Sequence, residues 1–276
     1  MFENPLHVLV TVPVDILTGK SRRDRRQWVP RLGLWLNRPM QLQLIIRTAI
    51  TLATIIPALA GAEIIAVIGT GDVGSTLGTR FAQAGHSVYF GSRTPESERV
   101  QALLSEAGEN VAALTPPQAA AAADMIVLAV PHDSAVDVLQ SLGDTAGKVV
   151  IDVTNPLIRL EGRYARATDT SVAAQLQAAA PEAHIVKALN ALAYRTMAEP
   201  ELAGGTVTIP MAGNDAAAKA RVASLIADLG FDSWDLGPVE YAGVLEDMLM
   251  VRLHARLRGR AFNYYFRPAP HETDAD

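Results

Sequence analysis

Cysteine is missing altogether from this 276-residue chain. Without it there is no thiol nucleophile, no disulfide, no Cys-ligated zinc and no iron–sulfur cluster. The absence leaves the compartment open, because a reduced cytosolic protein and a disulfide-free exported one share it. Aromatic residues make up only 5%, and 24 Lys and Arg stand against 29 Asp and Glu, for a net charge of −5. A nucleic-acid binder needs a basic surface, so no nucleic-acid partner is expected. Histidine is scarce too, with 6 in the chain, and no metal-ligand cluster, Ser-His-Asp triad or paired-carboxylate motif follows from the spacings. What is plentiful is apolar material, 49% hydrophobic against 19% charged. That suffices for a sizeable core in one large domain or two small ones.

Charge divides unevenly along the chain. Residues 1–62 carry eight Lys and Arg against three Asp and Glu, whereas the remainder is acidic overall. The basic residues gather between Lys20 and Arg38, and an apolar stretch follows from Leu42 to Ala62. Arg47 ahead of the uncharged run Thr48 to Leu59, with Ala58-Leu59-Ala60 and Ala60-Gly61-Ala62 behind it, has the layout of a secretory signal. Met40 stands just in front, so Met1 and Met40 are both plausible starts. Three readings of this leader stay open: a cleaved export signal, a membrane anchor of marginal length with the basic run on the cytoplasmic side, or a helix packed on the domain. An exported or anchored location is expected, with a cytoplasmic one as the alternative. Any membrane contact would be confined to 42–62. The expected domains are the leader 1–62, a nucleotide-binding domain 63–240 and a helical C-terminal extension 241–276.

From Glu63 the pattern turns periodic. Glu63 to Ile68 is apolar and β-branched, as a parallel strand buried on both faces requires. It runs into Gly69-Thr70-Gly71-Asp72-Val73-Gly74, the G-x-G-x-x-G spacing, and then into an amphipathic helix, Ser75 to Gly85. In that setting Gly69 permits the tight turn, Gly71 lets a pyrophosphate approach the backbone, and Gly74 lets helix and strand pack closely. The anion then meets free N–H groups and the positive end of the helix dipole. After the second strand, His86 to Gly91, NAD-binding proteins usually place a carboxylate on the ribose 2′-hydroxyl. This chain has Ser92-Arg93-Thr94 instead, with Arg93 24 positions after Gly69. A carboxylate repels a 2′-phosphate, whereas a guanidinium binds it bidentately and two hydroxyls add donors. The expected cofactor is NADP(H).

Further strands are expected at Met125 to Val130, Lys148 to Val153, His184 to Leu189, Val207 to Ala212 and Phe231 to Leu236. Helices fall at Ser134 to Leu142, Val172 to Ala180 and Ala216 to Leu229, and a polar loop follows Pro156. This alternation predicts an α/β fold: a Rossmann-type doubly wound, mostly parallel sheet with a short helical C-terminal extension. In such sheets ligands bind outside the carboxyl ends of the strands. His132 stands at one of these ends and is the one candidate for a proton donor; a hydrogen-bonded loop histidine is the alternative. Asn155 and Asn190 end two other strands, where an amide can meet a nicotinamide carboxamide or cap a turn. Lys187 is read first as a pairing or edge residue, and Arg252, Arg256, Arg258 and Arg260 as one helix face. Tyr264, Tyr265 and Phe266 either form a stacking platform or pack down onto the domain or a second subunit.

The segments Ile-Gly-Thr-Gly-Asp-Val-Gly, Ala-Gly-His-x-Val, Gly-Ser-Arg-Thr-Pro, Val-Lys-Ala-Leu-Asn and Met-Ala-Gly-Asn-Asp together resemble the deazaflavin (coenzyme F420)-dependent NADP reductase family. The NADPH-oxidoreductase domains of the STEAP metalloreductases are similar. The resemblance covers about residues 63–247. It implies that Thr70, Gly71, Asp72 and Val73 line the pyrophosphate loop and that Ser92 and Arg93 hold the 2′-phosphate. It also implies that Val130, Pro131, His132, Asn155, Pro156 and Asn190 lie near the ribose or nicotinamide. Two departures stand out: the 62 residues before the first strand, and a C-terminal piece without a deazaflavin-binding pattern. The activity implied is hydride transfer between NADPH and a deazaflavin, a flavin or a related small-molecule acceptor, in which the cofactors carry the reaction and the protein orients them. A homodimer fits the same reading. Two alternatives remain: an exported or anchored dinucleotide-binding module without turnover, and a pyrroline-5-carboxylate, imine or 3-hydroxyacid-type reductase. The last needs a large helical C-terminal domain, and only 40 residues follow Leu236.

Overall fold

A computed structural model describes residues 61–260, 263 and 265–267. The leader up to residue 60, its Met40 and apolar run, and Tyr264 lie outside these.

Eight strands form one sheet: β1 (Ile64–Ile68), β2 (Ser87–Gly91), β3 (Val111–Leu114), β4 (Met125–Leu128), β5 (Val149–Asp152), β8 (His184–Lys187), β9 (Thr208–Gly213) and β10 (Asp232–Gly237). Their spatial order is β10-β9-β8-β5-β4-β1-β2-β3. All neighbours pair in parallel except β8 with β9. From β3 to β8 this is the doubly wound order, and the direction of winding reverses at β1, between β2 and β4. The expected architecture is therefore the observed one.

Helices cover both faces because the inner strands are apolar on both. Alternate residues of a strand point to opposite sides. Ile65, Val67, Met125, Val127, Val149 and Ile151 enter one core. There they meet α1 (Asp72–Gln83), α2 (Glu98–Ala107), α6 (Tyr194–Ala198) and α7 (Ala216–Asp228). Ala66, Ile68, Ile126, Leu128, Val150 and Ile185 enter the other. Its covering helices are α3 (Pro116–Ala121), α4 (Ala135–Ser141), α5 (Val172–Ala179) and α8 (Ala242–Leu257). Phe81 and Leu77 of α1 are fully buried, and each such side chain contributes about 1.5–3 kcal/mol of burial.

Three expectations change. The polar loop after Pro156 is a two-stranded antiparallel hairpin, β6 (Leu157–Leu160) with β7 (Arg163–Arg166), turning at Glu161-Gly162. It packs against α8. The four C-terminal arginines do not share a helix face: α8 ends at Leu257, so Arg258 caps it and Arg260 lies beyond. Of the two readings of Lys187, the edge one falls because β8 lies between β5 and β9, and the pairing one holds, with Asp152 as a partner.

Candidate active site

The residues singled out from the sequence gather along one edge of the sheet, at the carboxyl ends of β1, β2, β4, β5 and β8. Gly69 follows β1 with φ of +106°, a conformation that disfavours side chains, and a Cβ there would stand 2.3 Å from the Ala129 carbonyl oxygen. A Cβ on Gly74 would stand 2.0 Å from the Gly69 carbonyl oxygen. Both glycines are therefore required by the protein's own packing. Gly71 differs: a Cβ there meets nothing within 4 Å. Its extended backbone begins α1 without a side-chain cap, so the first amides of the helix are left to whatever occupies that space. Asp72 is the first helical residue and is exposed. Its carboxylate favours the helix dipole but opposes a second anion, so the useful group at this position is its N–H.

The end of β2 is tied to this loop, because Gly69 N–H donates to the Gly91 carbonyl at 3.1 Å. Ser92 is buried, and its hydroxyl oxygen accepts from Thr94 N–H at 3.2 Å, which shapes the turn carrying Arg93. Arg93 is exposed and makes no side-chain hydrogen bond or ion pair among the described residues. The end of β4 also meets the loop: Val130 Cγ1 lies 3.3 Å from where a Gly69 Cβ would stand. Pro131 precedes a short turn, His132–Ser134, in which His132 is half-buried.

Asn155 and Asn190 bind one another. Asn190 Nδ2 donates to Asn155 Oδ1 at 2.9 Å, and Asn155 Nδ2 donates to the Asn190 carbonyl at 3.0 Å. Asn190 Nδ2 also donates to the Leu245 carbonyl of α8 at 2.7 Å. The pair is thus largely self-satisfied, which neither simple reading anticipated. Among the four amide atoms only Asn190 Oδ1 lacks a described partner, an acceptor suited to an N–H₂ group. Pro156 is buried beside them, and its carbonyl accepts from Ala167 N–H at the base of the hairpin.

Beneath this pair lies a buried ionic cluster. Lys187 and Asp152 are in register on adjacent strands, and strand parity turns both toward α8. The Lys187 ammonium is fully buried. It lies 2.9 Å from Asp152 Oδ2, 2.9 Å from Glu246 Oε1 and 2.5 Å from the Thr154 carbonyl oxygen. Burial pushes the Glu246 carboxyl above the ordinary carboxylate range, against the pull of Lys187.

The profile of the NADP oxidoreductase, coenzyme F420-dependent family matches residues 64–156. A crystal structure of a candidate F420-dependent NADP reductase from Arthrobacter sp. FB24 superposes with a TM-score of 0.68 at 34% identity, over 75% of this chain and all of that one. The chain belongs to this family. The F420-dependent NADP reductase of Methanothermobacter thermautotrophicus is 45% identical over 100 residues, 34% of this chain and 43% of that protein. The metalloreductase STEAP3 of Rattus norvegicus is 28% identical over 186 residues, 66% of this chain and 35% of that protein. The chain spans less than half the length of these two curated relatives.

Two features of this family member were not read from its sequence. Arg99, in the first turn of α2, donates to the Thr70 carbonyl at 3.0 Å and so braces the glycine loop. It also lines a cleft of about 380 Å³ with Thr70, Thr79, Arg80 and Glu106. That cleft shares only Thr70 with the expected set, so it is not where the motif points. Leu189 has φ of +61° although it is no glycine and is buried. Such strain costs roughly 1–2 kcal/mol and often marks a functional turn. The chain pattern carried no signal for either.

Proposed function

We propose that the chain binds NADP(H), with the pyrophosphate against the Gly69–Gly74 loop and the 2′-phosphate against Arg93, Ser92 and Thr94. Bound there, NADPH supplies a hydride for a deazaflavin, a flavin or a related acceptor. The observation that carries this reading is the adjacency of two unmet groups. The open space at Gly71 faces an uncapped helix start, and the Gly69–Gly91 hydrogen bond holds it beside Arg93, exposed and unpaired among the described residues. One attracts a pyrophosphate and the other distinguishes a phosphorylated ribose. The remaining residues suit the same reading: Val130 packs beside the loop, Pro131 follows it, and the Asn155–Asn190 pair keeps one acceptor for a carboxamide. In this reading His132, half-buried after β4, is the group that holds or moves a proton at the reacting end.

Fluorescence titration with NADPH and NADH tests the reading. Arg93→Ala is expected to weaken NADPH by about 1.5–3 kcal/mol, the value of a charged hydrogen bond, and to leave NADH almost unchanged. Equal losses for the two nucleotides remove Arg93 from the 2′-phosphate. An acceptor screen with FMN and deazaflavins then separates a reductase from a module that binds without turnover.

A further inference from the structure

The cluster around Lys187 is out of reach of any ligand, yet it touches everything that fixes the Asn155–Asn190 pair. All three ammonium hydrogens are engaged, by Asp152, Glu246 and the Thr154 carbonyl. Thr154 is held through its backbone: its N–H donates to Asp152 Oδ1 at 2.8 Å, while its buried hydroxyl has no partner among the described residues. The next residue is Asn155. On the other strand, Lys187 stands three residues before Asn190, with strained Leu189 between them. The third anchor is Glu246, next to Leu245, whose carbonyl accepts from Asn190. Glu246 also accepts from Val172 N–H at the start of α5 (2.9 Å) and from Arg166 of the hairpin (3.2 Å). Arg166 continues to Asp247 at 2.8 Å.

Five pieces of chain therefore converge on one buried ionic cluster: the ends of β5 and β8, the hairpin, α5 and α8. Apolar side chains of equal volume can match or exceed the stability of such a cluster. What they lack is direction: here Lys187 holds the Thr154 carbonyl, Asp152 the Thr154 N–H and Glu246 the Val172 N–H, so the charges fix backbone positions. We propose that Lys187, working with Glu246, is a positioning residue that sets the Asn155–Asn190 amide pair, and through it the nicotinamide end of the site, without touching the ligand. This rests on the NADPH reading given above.

Two variants and two probes test it. Adenosine 2′,5′-bisphosphate carries only the adenine and 2′-phosphate end of the nucleotide and reports the Arg93 side alone. In Lys187→Met and Glu246→Gln it should bind within about twofold of the wild type. Reduction of FMN at saturating NADPH should fall by up to about 100-fold, as expected when reacting groups are displaced by an ångström. The fluorescence enhancement of bound NADPH should be lost with it. Glu246→Gln keeps the shape and the acceptor for Val172, so it decides the matter if Lys187→Met does not fold. Unchanged turnover and fluorescence in Glu246→Gln overturn the proposal. So does a matching loss of bisphosphate affinity, which marks a purely structural role. If the wild type ignores the bisphosphate, the NADPH reading fails first and the positioning role falls with it.

Discussion

Two glycines of the same motif answer to different demands. Gly74→Ala places a Cβ on the Gly69 carbonyl oxygen, so the loop must move, and a loss of about 1–3 kcal/mol in unfolding free energy is expected. Gly71→Val meets only open space on an extended backbone. It should unfold at the wild-type urea concentration and yet lose NADPH. If Gly71→Val keeps its affinity, that space is not where the pyrophosphate lies. The motif spacing made both glycines visible in the sequence, but only their neighbours separate the packing glycine from the one beside open space. Asn155 and Asn190 teach the same lesson in reverse. Their strand-end positions were legible, while the hydrogen bonds between them join residues 35 apart and leave no local pattern.

Among the elements, buried strands and long helices were readable because period-2 and period-3.6 burial writes itself into composition. The hairpin β6–β7 was not, since Arg159, Glu161, Arg163 and Arg166 make it look like solvent-facing loop. Its anchor, Arg166, reaches acidic residues 80 positions away. The short helix α3 did carry a local sign, the Thr115–Gln118 capping box ahead of an alanine run. At the opposite edge of the sheet, β10 is tied to α7 by Lys219, which lies 2.7 Å from Asp235. Burial alone would raise the Asp235 carboxyl, but the Lys219 ammonium and the Gly237 N–H outweigh it and hold it below its ordinary value. A depressed folded-state value stabilises above the ordinary Asp range, near pH 3.9, and that contribution disappears as pH falls through the depressed value. Wild type and Asp235→Asn should thus differ in urea midpoint at neutral pH and converge in acid. A gap that persists at pH 2 assigns the difference to something other than this charge pair.

For the molecule as a whole, binding and stability are linked. A ligand at 100 times its dissociation constant adds about 2.7 kcal/mol, which raises the melting temperature of a domain this size by about 5–10 °C. NADPH should produce that shift, and NADH at the same concentration a clearly smaller one. Equal shifts in a thermal melt would refute the preference for the phosphorylated nucleotide. The sequence by itself determined the layered α/β sheet, the glycine loop and the cationic turn beyond β2, because each βαβ unit and motif is written within about 30 consecutive residues by spacing and periodicity. Only the tertiary structure decided how β5, β8, the hairpin and α8 meet beneath the site. Lys187, Asp152, Glu246 and Arg166 come from four separate stretches, and a buried charge reveals its purpose only through the groups that surround it.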